Sequence, residues 1–202
     1  MTHIEINPEK VKPAVIDLIA GSLAIGQILV LPTDTIYGLS CLADSVRPIK
    51  KIYRLKKRDV KKPLSVLVSS LKMAKKYVAI SKKQLEFLKK IWAKDQEPTT
   101  VILKHLKKLP RELTRGSDGL AIRLPKNKIL IKIIKKVDCP LVSTSLNLSG
   151  EKDIKNFSKL SKYFPQKNNR PDLVIESGPA PRRQPSRLVD LRNEDKPIII
   201  RK

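Results

Sequence analysis

Three short segments gather the residues able to do chemistry. The first is Pro32-Thr33-Asp34-Thr35-Ile36-Tyr37-Gly38-Leu39, with two hydroxyls, one carboxylate and one phenol. The second is Lys56-Lys57-Arg58-Asp59-Val60-Lys61-Lys62-Pro63-Leu64. Its Lys56, Arg58 and Lys62 can bracket a triphosphate, the arginine as a fork of donors and the lysines as point charges. The third, Pro140 to Gly150, places Ser143, Thr144, Ser145, Asn147 and Ser149 after an apolar run. Four hydroxyls and an amide suit phosphate oxygens and the polar groups of an amino acid. Each segment also has a plain structural reading, as a capping turn, a helix end whose cations face the negative dipole terminus, or a turn network.

Other chemistries lack their residues. The chain has two histidines, His3 and His105, neither in the setting of a nucleophile's base. Cys41 and Cys139 lie far apart in apolar surroundings, so neither a disulfide scaffold nor a zinc site is expected. No cluster has metal-ligand spacing, and no protein-held metal is expected. Gly21 and Gly26 have phosphate-loop spacing, but Gln27-Ile28 follows where lysine and a hydroxyl are needed. If the chain is an enzyme, what remains is catalysis by holding reactants together and stabilising phosphate charge.

These segments need strands to carry them, because open α/β sheets place ligands at strand ends. Apolar runs predict strands at 3–7, 27–31, 64–68, 99–103, 121–124, 141–143, 173–176, 188–191 and 198–200. Helical spacing predicts helices over 11–24, 45–57 with Ser45 as cap, 70–77, 81–93, 127–137 and around 157–163. The stretch 178–185, with Pro179, Pro181, Arg182 and Arg183, is the most loop-like. The expected architecture is α/β: a single domain over 1–202, with a mixed twisted sheet and helices packed on its faces. No additional C-terminal domain is expected.

Composition bounds the partners. The 202 residues carry 43 Lys and Arg against 19 Asp and Glu, a net charge of +24. With 41% hydrophobic residues the chain is expected to fold. It has no apolar run of ~18 residues for a membrane span and no signal-peptide pattern at its start, so a cytoplasmic protein is expected. The lysines cluster at 50–62 and 72–94 and recur beyond. They either steer a polyanion such as RNA or are simply solvated faces. Aromatic residues make up only 4%, which leaves few platforms for base stacking.

Taken together, the segments resemble the YrdC-like family, which includes the TsaC-type L-threonylcarbamoyladenylate synthases. The resemblance runs from about Pro32 to Leu191. It rests on Pro-Thr-Asp-Thr-x-Tyr-Gly-Leu, on Lys56-x-Arg58 with Lys62-Pro63-Leu64, on Ala121-Ile122-Arg123-Leu124-Pro125, on Ser143-Thr-Ser145-x-Asn147, and on Pro185-Ser186-Arg187-Leu188-Val189-Asp190-Leu191.

The resemblance implies a reaction. L-Threonine, bicarbonate and ATP give threonylcarbamoyl-AMP and pyrophosphate, which feeds the threonylcarbamoyl modification of adenosine beside the anticodon of certain tRNAs. It implies that Thr35, Tyr37, Arg123 and Ser143 bind threonine. It implies that Lys56, Arg58, Lys62, Ser145, Asn147 and Ser186 bind ATP, with Lys56 and Arg58 catalytic. Magnesium would ride on the ATP phosphates. Implied partners are tRNA or double-stranded RNA and other proteins of tRNA threonylcarbamoylation. Two features depart from the family. Leu146 replaces its usual alanine, and Trp92 to Thr99 form a longer polar turn in place of Trp-Pro-Gly-Pro, which is also similar to the YciO branch. A non-catalytic RNA- or tRNA-binding protein and a YciO-like nucleotide-binding protein stay open as alternatives.

Overall fold

The computed structural model describes residues 1–154, 157–166, 168–180 and 184–202. The loop-like stretch over 178–185 therefore falls partly outside the described residues, at Pro181, Arg182 and Arg183. Strand β1 (Thr2–Glu5) leads into helix α1 (Pro13–Ala24), which carries a proline at its start, where a missing N–H costs nothing. The fully buried β2 (Leu29–Leu31) and then β3 (Gly38–Leu42) follow. Helix α2 (Val46–Leu55) buries Ile49, Ile52, Tyr53 and Leu55, the face predicted by their spacing. Ser45 stands at its N-cap but its side chain accepts no capping bond, and its hydroxyl donates to Asp44 Oδ1.

Strand β4 (Val66–Leu67) and helix α3 (Leu71–Ala74) are shorter than the apolar pattern predicts. Helix α4 (Lys82–Ile91) opens on a reciprocal cap, in which Gln84 N donates to Ser81 Oγ and Ser81 N donates to Gln84 Oε1. Strand β5 (Thr99–Lys104) precedes α5 (Arg111–Thr114), a single turn that no periodicity announces. Next come β6 (Gly119–Arg123), α6 (Lys128–Val137) and β7 (Leu141–Ser145). A 3-10 turn (Phe157–Lys159) runs into α7 (Leu160–Tyr163). Strands β8 (Leu173–Glu176), β9 (Arg187–Asp190) and β10 (Ile198–Arg201) complete the described elements. None of the described helices is long and apolar enough to cross a membrane.

The strands join in one mixed sheet, in the order β1-β8-β2-β3-β7-β4-β6-β5-β9-β10. Helices pack against it, α1 beside α6 and α2 against β3. Central strands β2 and β4 are buried at every residue and β3 at all but Leu42, as expected of strands covered on both faces. This is the mixed α/β architecture expected from the sequence. Strand β7 differs from the expectation at its end. It runs on past Ser143 through Thr144 and Ser145, so three of the four hydroxyls lie within the sheet, while Asn147 and Ser149 lie in the turn after it.

Register brings the motifs together. Strand β3 runs antiparallel to β7, pairing Gly38 with Ser145, Leu39 with Thr144 and Ser40 with Ser143. Strand β7 also pairs with β4, which lies parallel to β6 and sets Leu67 beside Arg123. Strand β9 lies parallel to β5, with Thr100 opposite Leu188. The β3–β7 contact is close enough to demand a glycine, since a Cβ on Gly38 would sit 2.8 Å from Ser143 Oγ.

Gly38→Ala should therefore cost ~1–3 kcal/mol of stability by overpacking. Gly21→Ala, in a helix with nothing within 4 Å of the added carbon, should be neutral or stabilising. Denaturant unfolding of the two variants side by side checks both signs.

Candidate functional site

A cavity of about 230 Å³ opens where the three motifs converge. The loop between β2 and β3 supplies Thr33, Thr35 and Tyr37, and β7 supplies Ser143, Thr144 and Ser145. Arg58 follows α2, Arg123 ends β6, and Thr100, Ser186 and Arg201 come from the β5–β9–β10 side. Among the described residues no carboxylate lines this cavity.

The first motif is a self-bonded turn. Thr33 Oγ1 donates to Ile36 O at 2.7 Å and accepts from Thr35 N at 2.9 Å. Thr33 and Thr35 Oγ1 lie 2.9 Å apart. The single Thr33 hydroxyl proton is committed to Ile36, so the Thr35 hydroxyl donates to Thr33 and turns only acceptor lone pairs to the cavity. The Tyr37 hydroxyl donates to Gly178 O at 2.6 Å and accepts from Ser177 N at 2.9 Å, and its ring meets Phe157 edge-on.

Lys56 is the largest fully buried side chain among the described residues, at 1% exposure. Its Nζ donates to Ser145 O at 2.5 Å, Asn147 O at 2.9 Å and Asn147 Oδ1 at 2.5 Å. Ser145 Oγ donates to Asn147 Oδ1 at 2.7 Å, and Ser149 N donates back to Lys56 O at 2.8 Å. Burial, then the Arg58 charge, pushes the Lys56 amine down to about 7, against the pull of Asp153.

Three guanidiniums face the cavity, each held differently. Arg58 donates from Nε to Lys62 O and from Nη2 to Pro63 O. Arg123 pairs with Asp34, Nη1 to Oδ1 at 2.6 Å. Arg201 donates from Nε and Nη2 to Ser186 O. Burial lowers the Arg58 pKa, and burial followed by Arg123 repulsion lowers that of Arg201. A hydroxyl-lined cavity with three guanidiniums and no facing carboxylate among the described residues is built for an anion.

Comparison with known proteins places the chain in a family. A Sua5/YciO/YrdC family model, described as telomere recombination, matches residues 22–202. The chain belongs to the Sua5/YciO/YrdC family. Threonylcarbamoyl-AMP synthase of Pyrococcus abyssi is 27% identical over 202 residues, which is all of this chain and 57% of that protein. The namesake in Xanthomonas campestris pv. campestris is 29% identical over 177 residues, covering 88% of this chain and 93% of that one. P. abyssi Sua5 complexed with L-threonine superposes with a TM-score of 0.87 at 25% identity, over all of this chain and 57% of that one. E. coli YciO shares the fold, also at 0.87, with 22% identity over 100% and 96% of the two chains. This chain thus spans little more than half of the P. abyssi protein but nearly all of the shorter relatives.

Within this Sua5/YciO/YrdC chain the expected site residues divide. Thr35, Tyr37, Arg58, Arg123, Ser143, Ser145 and Ser186 line one cavity. Lys56, Lys62 and Asn147 do not. Lys56 lies beneath the wall with its donors spent on Ser145 and Asn147, and Asn147 is spent on Lys56, Ser145 and, through Nδ2, Glu151 O. Lys62 is exposed and contributes its carbonyl oxygen, which accepts from Arg58 and from the Tyr53 hydroxyl. Sequence reasoning named Thr33 in its first segment without giving it a role, and it missed Thr100 and Arg201. Thr100 Oγ1 lies 2.7 Å from Ser186 Oγ, and a lone arginine ending an isoleucine run was the only available sign of Arg201. Neither histidine nor cysteine lines the cavity, and burial pushes both thiols up. No described group of carboxylates, histidines and cysteines could hold a metal.

Lys56→Met should remove the donors of three carbonyl oxygens and lower stability by about 1–3 kcal/mol. In wild type the Lys56 side-chain carbon signal should titrate near 7 rather than at the ordinary 10.5. Between those values the unfolded chain holds a proton that the folded chain has shed, so this group makes stability rise with pH there. That rise should vanish in Lys56→Met, as read by urea unfolding from pH 7 to 10.

Proposed function

We propose that this chain makes L-threonylcarbamoyl-AMP and pyrophosphate from L-threonine, bicarbonate and ATP, for the modification of tRNA. One observation carries the reading: Arg58, Arg123 and Arg201 converge with a wall of hydroxyls on a cavity that no described carboxylate lines. Relatives named threonylcarbamoyl-AMP synthase and the threonine-bound P. abyssi structure support it.

The residues divide the work. Arg123 takes the α-carboxylate of threonine, and the acceptor lone pairs of Thr35 receive its hydroxyl or amine. The free amine attacks bicarbonate, water leaves, and a carbamate forms. A carbamate oxygen then attacks the α-phosphorus of ATP, and pyrophosphate departs with the bond electrons. Every species in this step is an anion, so fixed cations supply the stabilisation. Arg58 and Arg201 take the phosphates, with Ser145 and Ser186 beside them, while Ser143 stands beside threonine. A cavity of this size falls below the ~300–1,000 Å³ that encloses drug-sized ligands. It suits an amino acid and a phosphate group, with the nucleoside at the open mouth.

Magnesium enters this reading as part of the ATP substrate, on its phosphates. The product is a reactive mixed anhydride and passes to other proteins of tRNA threonylcarbamoylation. The exposed lysines of a +24 chain would draw tRNA toward that handover.

Purified protein should release pyrophosphate only when threonine, bicarbonate and magnesium–ATP are all present. Arg58→Ala should lower kcat/KM by ~100-fold or more. A coupled pyrophosphate assay with each substrate omitted in turn is the check, and turnover without threonine would refute the reading.

A further inference from the structure

The carboxylate of the first motif has no task in the reaction. Asp34 does not line the cavity. It stands behind Arg123 in a nearly dry contact, the two side chains being 11% and 6% exposed. Both of its oxygens are held, Oδ1 by Arg123 Nη1 at 2.6 Å and Oδ2 by the Lys126 backbone N–H at 3.1 Å. Lys126 is itself anchored, with Nζ donating to Lys94 O at 2.6 Å and to Gln96 O. Thr33 and Thr35, on either side of Asp34, are tied to each other and to Ile36, so the turn that presents the carboxylate is rigid.

This leaves Arg123 with one edge occupied. No described protein group takes its Nε or Nη2. Those two N–H groups form the side-on fork that grips a carboxylate with two parallel bonds. We propose that Asp34 is a positioning residue for Arg123, fixing its fork toward the cavity and so selecting substrates that carry a free carboxylate. The inference rests on the reading that Arg123 receives the carboxylate of threonine.

A second role for Asp34 gives the opposite sign. As a mere counter-ion it would weaken the positive field of Arg123 and Arg201, and its neutralisation would tighten the binding of any anion. As a positioning group, its loss frees the guanidinium to turn, and carboxylate binding falls. A buried charge-assisted bond of this type is worth about tenfold or more in affinity.

The test uses the full chain and four proteins: wild type, Asp34→Asn, Asp34→Glu and Arg123→Ala. The probes are L-threonine and L-threoninol, which has a CH2OH in place of the carboxylate. Calorimetry gives the affinity for each, and pyrophosphate release gives KM and kcat for threonine. Asp34→Asn should raise the threonine KM about tenfold with kcat within about twofold. Its affinity for threoninol should stay at the wild-type value, so the preference for the carboxylate collapses. Asp34→Glu, which keeps the charge, should recover part of the preference, and Arg123→Ala should abolish it. Thermal unfolding confirms that each variant is folded. An unchanged or lower threonine KM in Asp34→Asn overturns the inference, as does an equal loss for both probes. If wild type itself fails to bind threonine, the functional reading falls and takes this inference with it. Wild-type binding with an indifferent Asp34→Asn sinks the inference alone.

Discussion

A lysine nitrogen buried under the sheet holds the site in shape. Removing an ammonium from water costs several kcal/mol unless acceptors replace the lost hydration. Lys56 finds them in Ser145 O, Asn147 O and Asn147 Oδ1, and the backbone answers with Ser149 N on Lys56 O. The end of α2 and the end of β7 are thereby locked together although nearly ninety positions separate them. Each partner is constrained by the other. The lysine spends its donors on this one strand end, and the asparagine oxygen gathers both the Lys56 amine and the Ser145 hydroxyl. Arg58, two residues on from Lys56, leaves this buried knot and reaches the cavity.

The same division between cations that hold the wall and cations that face the cavity runs through the site. Lysine suits the first task, as a compact charge that three oxygens can surround. Arginine suits the second, because its planar fork can spend one edge on the protein and keep another for the ligand. Arg58 spends its nitrogens on the carbonyls of Lys62 and Pro63, Arg201 on that of Ser186, and Arg123 on Asp34. Most of the other described ion pairs lie on exposed surface, for example Lys83 with Asp195 and Lys136 with Asp17, where such pairs are worth little. The charge of +24 therefore says less about the site than the placement of these few groups does.

The strands and most helices were legible because apolar period and length reveal them, and the motifs were legible because polar residues clustered at strand ends. Orientation was not legible. Lys56, Arg58 and Lys62 read as three equivalent cations, yet backbone geometry buries the first, aims the second into the cavity and sends the third to solvent. Helix α5 lies in a run of charges and prolines too short to show a period. Arg201 was hidden for another reason. Strand β10 reads as a plain apolar run, and it reaches the site only through its pairing with β9, which on its other side joins β5 rather than the preceding β8. Strand order is a long-range property that local pattern does not encode.

The two departures from the family pattern can now be weighed by where their atoms fall. Leu146 follows Ser145 just past the end of β7. Ser145 meets the cavity, while Leu146 is fully buried in the hydrophobic core and does not line the cavity. Its extra bulk compared with alanine therefore adds to the core and leaves the site's opening as it was. The longer turn after Trp92 is a different case. Trp92 Nε1 donates to Thr99 O and Thr99 Oγ1 to Glu97 O, while Lys126 Nζ reaches Lys94 O and Gln96 O. The backbone N–H of that same Lys126 holds Asp34, which holds Arg123. The segment after Trp92 is thus fastened to the back of the cavity wall through main-chain oxygens, which every residue type provides.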